Sequence, residues 1–123
     1  MARTVVRGIR GAITVERNSA EEITAATREL LEVIISENEL DPEDIACAFF
    51  TVTADLDAEF PASAARAMGW KYVPLICATE INVPGSLEKC IRIMLLVNTA
   101  KPQTGLKHVY LKDAARLRTD LLL

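Results

Sequence analysis

Apolar positions along this chain recur with two distinct periods, and the switches between them divide it into elements. "TVVRGIRGAITV", Thr4 to Val15, is β-branched and interrupted by two glycines. It predicts a strand in which Gly8 and Gly11 mark a bulge or the close approach of another group. Arg7 and Arg10 stand three apart, so on a regular strand they face opposite ways. "SAEEITAATRELLEVIISE" then opens with Ser19 and Glu22 at capping-box spacing and carries Ile23, Ala26, Leu30, Leu31 and Ile34 at helical intervals. An amphipathic helix from Ser19 to Glu37 follows, long enough at about 1.5 Å per residue to cover a sheet face.

"LDPED" reads as a turn, and "IACAFFTVT", Ile45 to Thr53, as a second strand, apolar on both faces in the way of a covered sheet. Pro61 can open a helix at its first position, and "ASAARAMG" is short, alanine-rich and ended by Gly69. A third strand lies in "KYVPLICATEI", a turn in "NVPGS", a fourth strand in "CIRIMLLVN", a loop in "AKPQTG" and a short fifth strand in "LKHVYL". The tail "KDAARLRTDLLL" fits either helical turns or an arm docked on a neighbour. The order β, α, β, α, β, β, β, with no repeat or linker, predicts an α+β fold in one domain, residues 1–123. Its expected form is a mixed five-stranded sheet, ferredoxin-like in outline, with two helices on one face. The other face keeps much apolar surface and no helix to hide it, so association through that face is expected.

Composition narrows the function classes. Half of the 123 residues are hydrophobic and a quarter charged, the balance of a globular protein rather than a disordered one. A net charge of −3 gives no nucleic-acid footprint. No apolar run approaches the roughly 18 residues of a membrane span, and "MARTVVRGIRG" lacks the apolar segment of a secretory signal. Three cysteines, Cys47, Cys77 and Cys90, make no CxxC pair, which argues against a disulfide framework and for a cytoplasmic protein. They read as small buried hydrophobes. A nucleophilic Cys77 would need a base, and only Glu80 is near in sequence. The sole histidine, His108, has no serine elbow or second histidine beside it, so it fits a partly exposed neutral role rather than a triad or zinc site. "RGIRGA" and "VPGS" are too glycine-poor for a phosphate loop.

What remains is a set of oddly placed polar residues. Alternation puts Arg92 on one face of "CIRIMLLVN" with Cys90, Met94 and Leu96, and both faces of that strand read as buried. A guanidinium keeps its charge in a protein, and burying it costs several kcal/mol unless an anion and hydrogen bonds compensate. Arg92 therefore needs an anionic partner. Paired with Glu80 it is a structural salt bridge, which leaves Arg10 and Arg66 on the surface. Alternatively the three arginines converge on a ligand with more than one carboxylate, for which the guanidinium fork is suited.

"RGIRGAITVERN", "LDAEFPASAAR", "GWKYVPLICATEINVPGSLEKCIRIMLLVNT" and "KHVYLKDAARLR" together resemble the monofunctional AroH-type chorismate mutases of bacilli and related bacteria, in collinear order over nearly the whole chain. The resemblance implies a homotrimer whose sheets pack into a pseudo-α/β barrel, with active sites in clefts between subunits. It also implies conversion of the dicarboxylate chorismate to prephenate, on the way to phenylalanine and tyrosine, without cofactor or metal. Carried over by motif, Arg10 binds a substrate carboxylate with help from Tyr110, Arg92 faces the ether oxygen, and Glu80 takes the ring hydroxyl. Cys77 lies beside Glu80, with Leu75 and Ile76 leading to it. Phe60 and Arg66 reach in from the adjacent subunit, and Ser63, Leu75 and Ile76 complete the substrate-binding set. Ser63 stands where the family carries a lysine, one positive charge fewer. Cys77 and Glu80 are three apart, so they share a site only if the strand bulges or ends between them. Two rivals resemble parts of this pattern: a trimeric imine-hydrolysing deaminase, whose motifs around the arginine are absent, and an amino-acid-binding regulatory module, which would not need Glu80 and Arg92 together.

Overall fold

A β-rich chain with few helices must choose which sheet face to cover, and the strand register decides it here. In the computed structural model, which describes residues 3–117, β1 (Val5–Thr14), β2 (Ile45–Val52), β3 (Leu75–Thr79), β4 (Cys90–Thr99) and β5 (Val109–Tyr110) form one sheet in the order β3-β2-β4-β1-β5. β4 runs antiparallel to both β1 and β2, while β1 with β5 and β2 with β3 are parallel. The mixed five-stranded sheet is thus the expected one. Its two parallel pairs and the helix after β2 set it apart from the β-α-β-β-α-β order of a ferredoxin-like fold.

Register along β1 and β4 is unbroken from Val5 opposite Thr99 to Thr14 opposite Cys90. Alternation then sends Ile91, Ile93, Leu95 and Val97 of β4, Ile9 and Ile13 of β1, and Ala48 and Phe50 of β2 to one face, all buried. Against them lies α1 (Ala20–Asn38) with Ile23, Leu30, Leu31 and Ile34, and beside it α2 (Ala62–Ala67) with Ala62 and Ala65. Gly11 makes no bulge. A Cβ there would stand 2.7 Å from Ile34 Cδ1 and 3.1 Å from both Leu30 Cδ1 and the Val109 carbonyl oxygen, so the glycine marks where α1 and β5 press on β1.

Helix ends follow their signals with local changes. Ser19 caps α1 by accepting the Glu22 N–H at 3.1 Å. The Glu22 carboxylate reaches back past Ser19 to the N–H groups of Glu16 and Arg17 and to the Arg17 guanidinium at 3.0 Å. Desolvation, the largest single influence, pushes its pKa up, but Arg17 and these N–H groups together outweigh it and hold the carboxyl below its ordinary range. Pro61 takes the cap position of α2 rather than the first helical one, and the chain leaves the helix through Gly69 at φ +93°.

The opposite face corrects the expectation that these strands are buried on both sides. Arg92, Met94 and Leu96 are only half-buried, and Phe49, Val6 and Ile76 are 43, 56 and 59% exposed. Both helices belong to the other face, so among the described residues a 3-10 turn, Lys112–Arg116, covers one end, packing Ala114 on Ala12 and Cys90. The described part of the tail therefore forms helical turns; residues 118–123 lie outside the described residues. Among the described residues no helix is long and apolar enough to cross a membrane.

Candidate active site

Strand pairing lines up polar residues that are far apart in sequence. Ala12 of β1 is opposite both Tyr110 of β5 and Arg92 of β4, and Arg92 is opposite Thr51 of β2. Thr51 in turn pairs with Ala78 of β3, and Glu80 follows two residues later on the same side, its N–H bonded to the Val52 carbonyl. Arg10 lies one pleat along β1 from Ala12. The result is a cleft of about 290 Å³ on the open face, lined by Arg10, Tyr110, Arg92, Glu80, Thr51 and Phe49, with Met94 and Leu117 at its walls. Arg7, facing the other way as expected, donates from Nε to the Lys101 carbonyl.

Across the cleft the groups fall in a spatial order: Arg10 and Tyr110 toward β5, Arg92 in the middle, Glu80 beyond β3. Thr51 Oγ1 donates to Glu80 Oε2 at 2.5 Å, and the same carboxylate oxygen stands 3.7 Å from Arg92 Nε. That distance is an ion pair and not a hydrogen bond. Arg92 Nε is itself buried and has no hydrogen-bond partner among the described residues, although 41% of the side chain is exposed. Arg92 is therefore not a wholly buried cation. It is a guanidinium braced at its stem, with a buried donor unmet, opening into a cleft.

Cys90 lies behind Arg92 on the same strand face, under Ala114. Burial pushes its thiol up from near 9.0 to about 11, against the pull of the Arg92 guanidinium. It is a packing residue, as its type suggests. All three cysteines are free thiols.

The other sequence-derived candidates stand elsewhere in this chain. β3 ends at Thr79, so the strand does end between Cys77 and Glu80. Cys77 pairs with the buried Phe50 and faces the helices, away from the Arg92 cleft, and Glu80 cannot serve it as a base. It lines a separate hollow of about 370 Å³ with Phe60 and Pro61. Ser63 sits near that hollow, donating to Glu59 at 3.2 Å. Arg66 and Leu75 line a third hollow beside Trp70, while Ile76 lies on the open face opposite Phe49. One chain thus joins Arg10, Tyr110, Arg92 and Glu80, and keeps Cys77, Phe60, Ser63 and Arg66 apart from them.

Two residues escaped the reading of the sequence. Thr51 is one of many strand threonines until the register sets it opposite Arg92. His108 is half-buried, as expected for a lone histidine, but its Nδ1 accepts the Arg10 backbone N–H at 2.9 Å. No spacing rule links positions 98 apart.

The sequence model of the family described as chorismate mutase type I matches residues 6–121. Chorismate mutase AroH of Bacillus subtilis is 51% identical over 120 residues, 97% of this chain and 94% of that protein. Its counterpart from Thermus thermophilus is 52% identical over 118 residues, 95% and 97% of the two chains. A solved chorismate mutase from Clostridium thermocellum superposes with a TM-score of 0.88 at 55% identity, covering 89% of this chain and 98% of that one. With a family match over nearly its full length, relatives at half identity and the same mixed sheet, the chain belongs to the type I chorismate mutases.

Proposed function

We propose that the Arg10–Arg92–Glu80 cleft is where this chain isomerises chorismate to prephenate, and that its roles divide along the cleft. The activity itself, a chorismate mutase of aromatic amino acid biosynthesis, follows from the family and its relatives. The reaction is an intramolecular [3,3] rearrangement, so it calls for no nucleophile and no general base. Catalysis then consists of holding a flexible dianion in its compact shape and meeting the charge that develops as the ether bond breaks.

Arg10 and Tyr110, at the β5 end, take a carboxylate; a guanidinium beside a phenol suits that group. Arg92, in the middle, donates to the ether oxygen, which gains negative charge in the transition state. Glu80 accepts the ring hydroxyl, with Thr51 fixing one of its oxygens so that the other is left for substrate. The single observation that carries this division is the buried, unmet Arg92 Nε donor between a carboxylate and an open cleft. Phe60 and Arg66 join the site from a neighbouring copy in a homotrimer. Two observations support that assembly: these side chains stand outside the Arg92 cleft of their own chain, and the open sheet face exposes Val6, Phe49 and Ile76.

The test is the ultraviolet decay of chorismate with the purified protein, run beside Arg92→Lys. Lysine keeps the charge and loses the fork. Removing such a preorganised donor costs about 2.7 to 4 kcal/mol, so kcat should fall on the order of a hundredfold or more with Tm unchanged. A near-normal kcat for Arg92→Lys overturns the role of Arg92, and a fully active monomer by light scattering overturns the shared cleft.

A further inference from the structure

We propose that His108 is a positioning residue for substrate binding, holding Arg10 and Tyr110 in one register. The inference rests on the reading of Arg10 as the carboxylate-binding residue. Its starting point is an accounting of backbone donors along β1. The Ala12 carbonyl accepts from Leu111 N–H at 2.9 Å, so Ala12 and, two residues earlier, Arg10 turn their backbone groups toward β5. β5 is only two residues long, and its pairing begins at Gly11 opposite Val109. Arg10 N–H therefore lies just short of the ladder. The imidazole Nδ1 of His108 accepts it at 2.9 Å and extends the pairing by one hydrogen bond.

The segment that carries His108 is itself anchored. Asn38, 3% exposed at the end of α1, donates to the Lys107 carbonyl at 2.9 Å and accepts the Lys107 N–H at 2.8 Å. A third bond ties Asn38 to the Ile34 carbonyl at 3.0 Å. The strand carrying Tyr110 is thus fastened to α1 at Lys107 and to the backbone of Arg10 at His108, two residues before Tyr110. Without the imidazole, Arg10 N–H loses its acceptor, and the alignment of the two groups that grip the carboxylate rests on the two-residue β1–β5 pairing alone. An Nδ1 that accepts requires the neutral ring with its proton on Nε2.

The experiment compares His108→Ala, His108→Asn and His108→Gln, with Arg10→Ala as reference, by chorismate kinetics and by hydrogen exchange at the Arg10 amide. Asparagine places its Oδ1 where Nδ1 stood, whereas glutamine places its amide one bond further out. Loss of one neutral hydrogen bond predicts that His108→Ala raises KM about fivefold with kcat within about twofold. His108→Asn should recover most of that loss and the amide protection, and His108→Gln should not. If Arg10→Ala raises KM but His108→Ala does not, or if all three His108 variants behave alike, His108 is not a positioning residue. If Arg10→Ala leaves KM unchanged, the reading of Arg10 itself fails. Should His108→Ala not fold, the contrast between asparagine and glutamine still decides.

Discussion

The two faces of one sheet are built to opposite rules. Beneath α1 the inward side chains Ile91, Ile93, Leu95 and Val97 of β4 are aliphatic with near-zero exposure, and the packing is completed by the chain's own helices. On the other face the same strand presents Arg92 between Cys90 and Met94, beside an exposed Phe49, and nothing of the described chain covers the middle of it. The difference separates folding from chemistry. Stability is drawn from the face where each residue has found its partner within the chain, and the proposed chemistry from the face where strands hold charged groups with one guanidinium donor unmet.

That contrast can be broken most forcefully from the covered side. Leu30 is fully buried, its Cδ1 against Gly11 of β1, and Leu30→Ala should cost about 2.7 to 5 kcal/mol of stability. At temperatures where the variant is still folded, kcat should stay within about twofold of the parent. Denaturant unfolding and chorismate kinetics on the same preparation check both halves; a large kcat loss in a folded Leu30→Ala would mean that the two faces are coupled.

Thr51 sharpens the contrast from the open side. Its hydroxyl sits on the Glu80 carboxylate at 2.5 Å, and hydrogen bonds to charged groups are worth about 1.5 to 3 kcal/mol. Thr51→Val, which removes the hydroxyl and keeps the shape, should lower kcat about tenfold while Tm moves little. Thr51→Ser should restore it. A Thr51→Val enzyme that melts early but turns over normally would place Thr51 with the structural residues.

The smallest effect lies at the end of the open face that the Lys112–Arg116 turn covers. Buried Cys90 titrates higher in the folded chain, near 11, than the ordinary 9.0 it regains on unfolding. Its contribution is therefore complete below about pH 9 and is lost as pH rises through about 11. The fall in Tm between pH 8 and pH 11 should be shallower for Cys90→Ala than for the parent by roughly a few degrees. Equal slopes would mean that the thiol ionises as freely in the folded state as outside it.

Much of this architecture was legible along the chain because its causes are local. The Ser19 cap, the spacing from Ile23 to Ile34, the Gly69 stop and the strand around Arg92 all depend on neighbours within a turn or a pleat, and all four appear where the pattern puts them. The resemblance spread over four motifs supplied the family. An arginine set in an apolar strand announced that it needed an anion, since that follows from the chemistry of one side chain and its surroundings.

Only the tertiary structure decided what depends on register. That Thr51 braces Glu80, that His108 caps Arg10 N–H, and that Cys77 faces away from Glu80 are consequences of pairings between residues 27 to 98 positions apart. A shift of one residue would turn every such side chain to the other face, and nothing local to Thr51 or His108 marks which face it will take. Sequence by itself determined the elements, the family and the need for an anion at Arg92. The fold determined which face stayed open and which polar groups meet there, because hydrogen-bonded strands align residues by spatial register and not by distance along the chain.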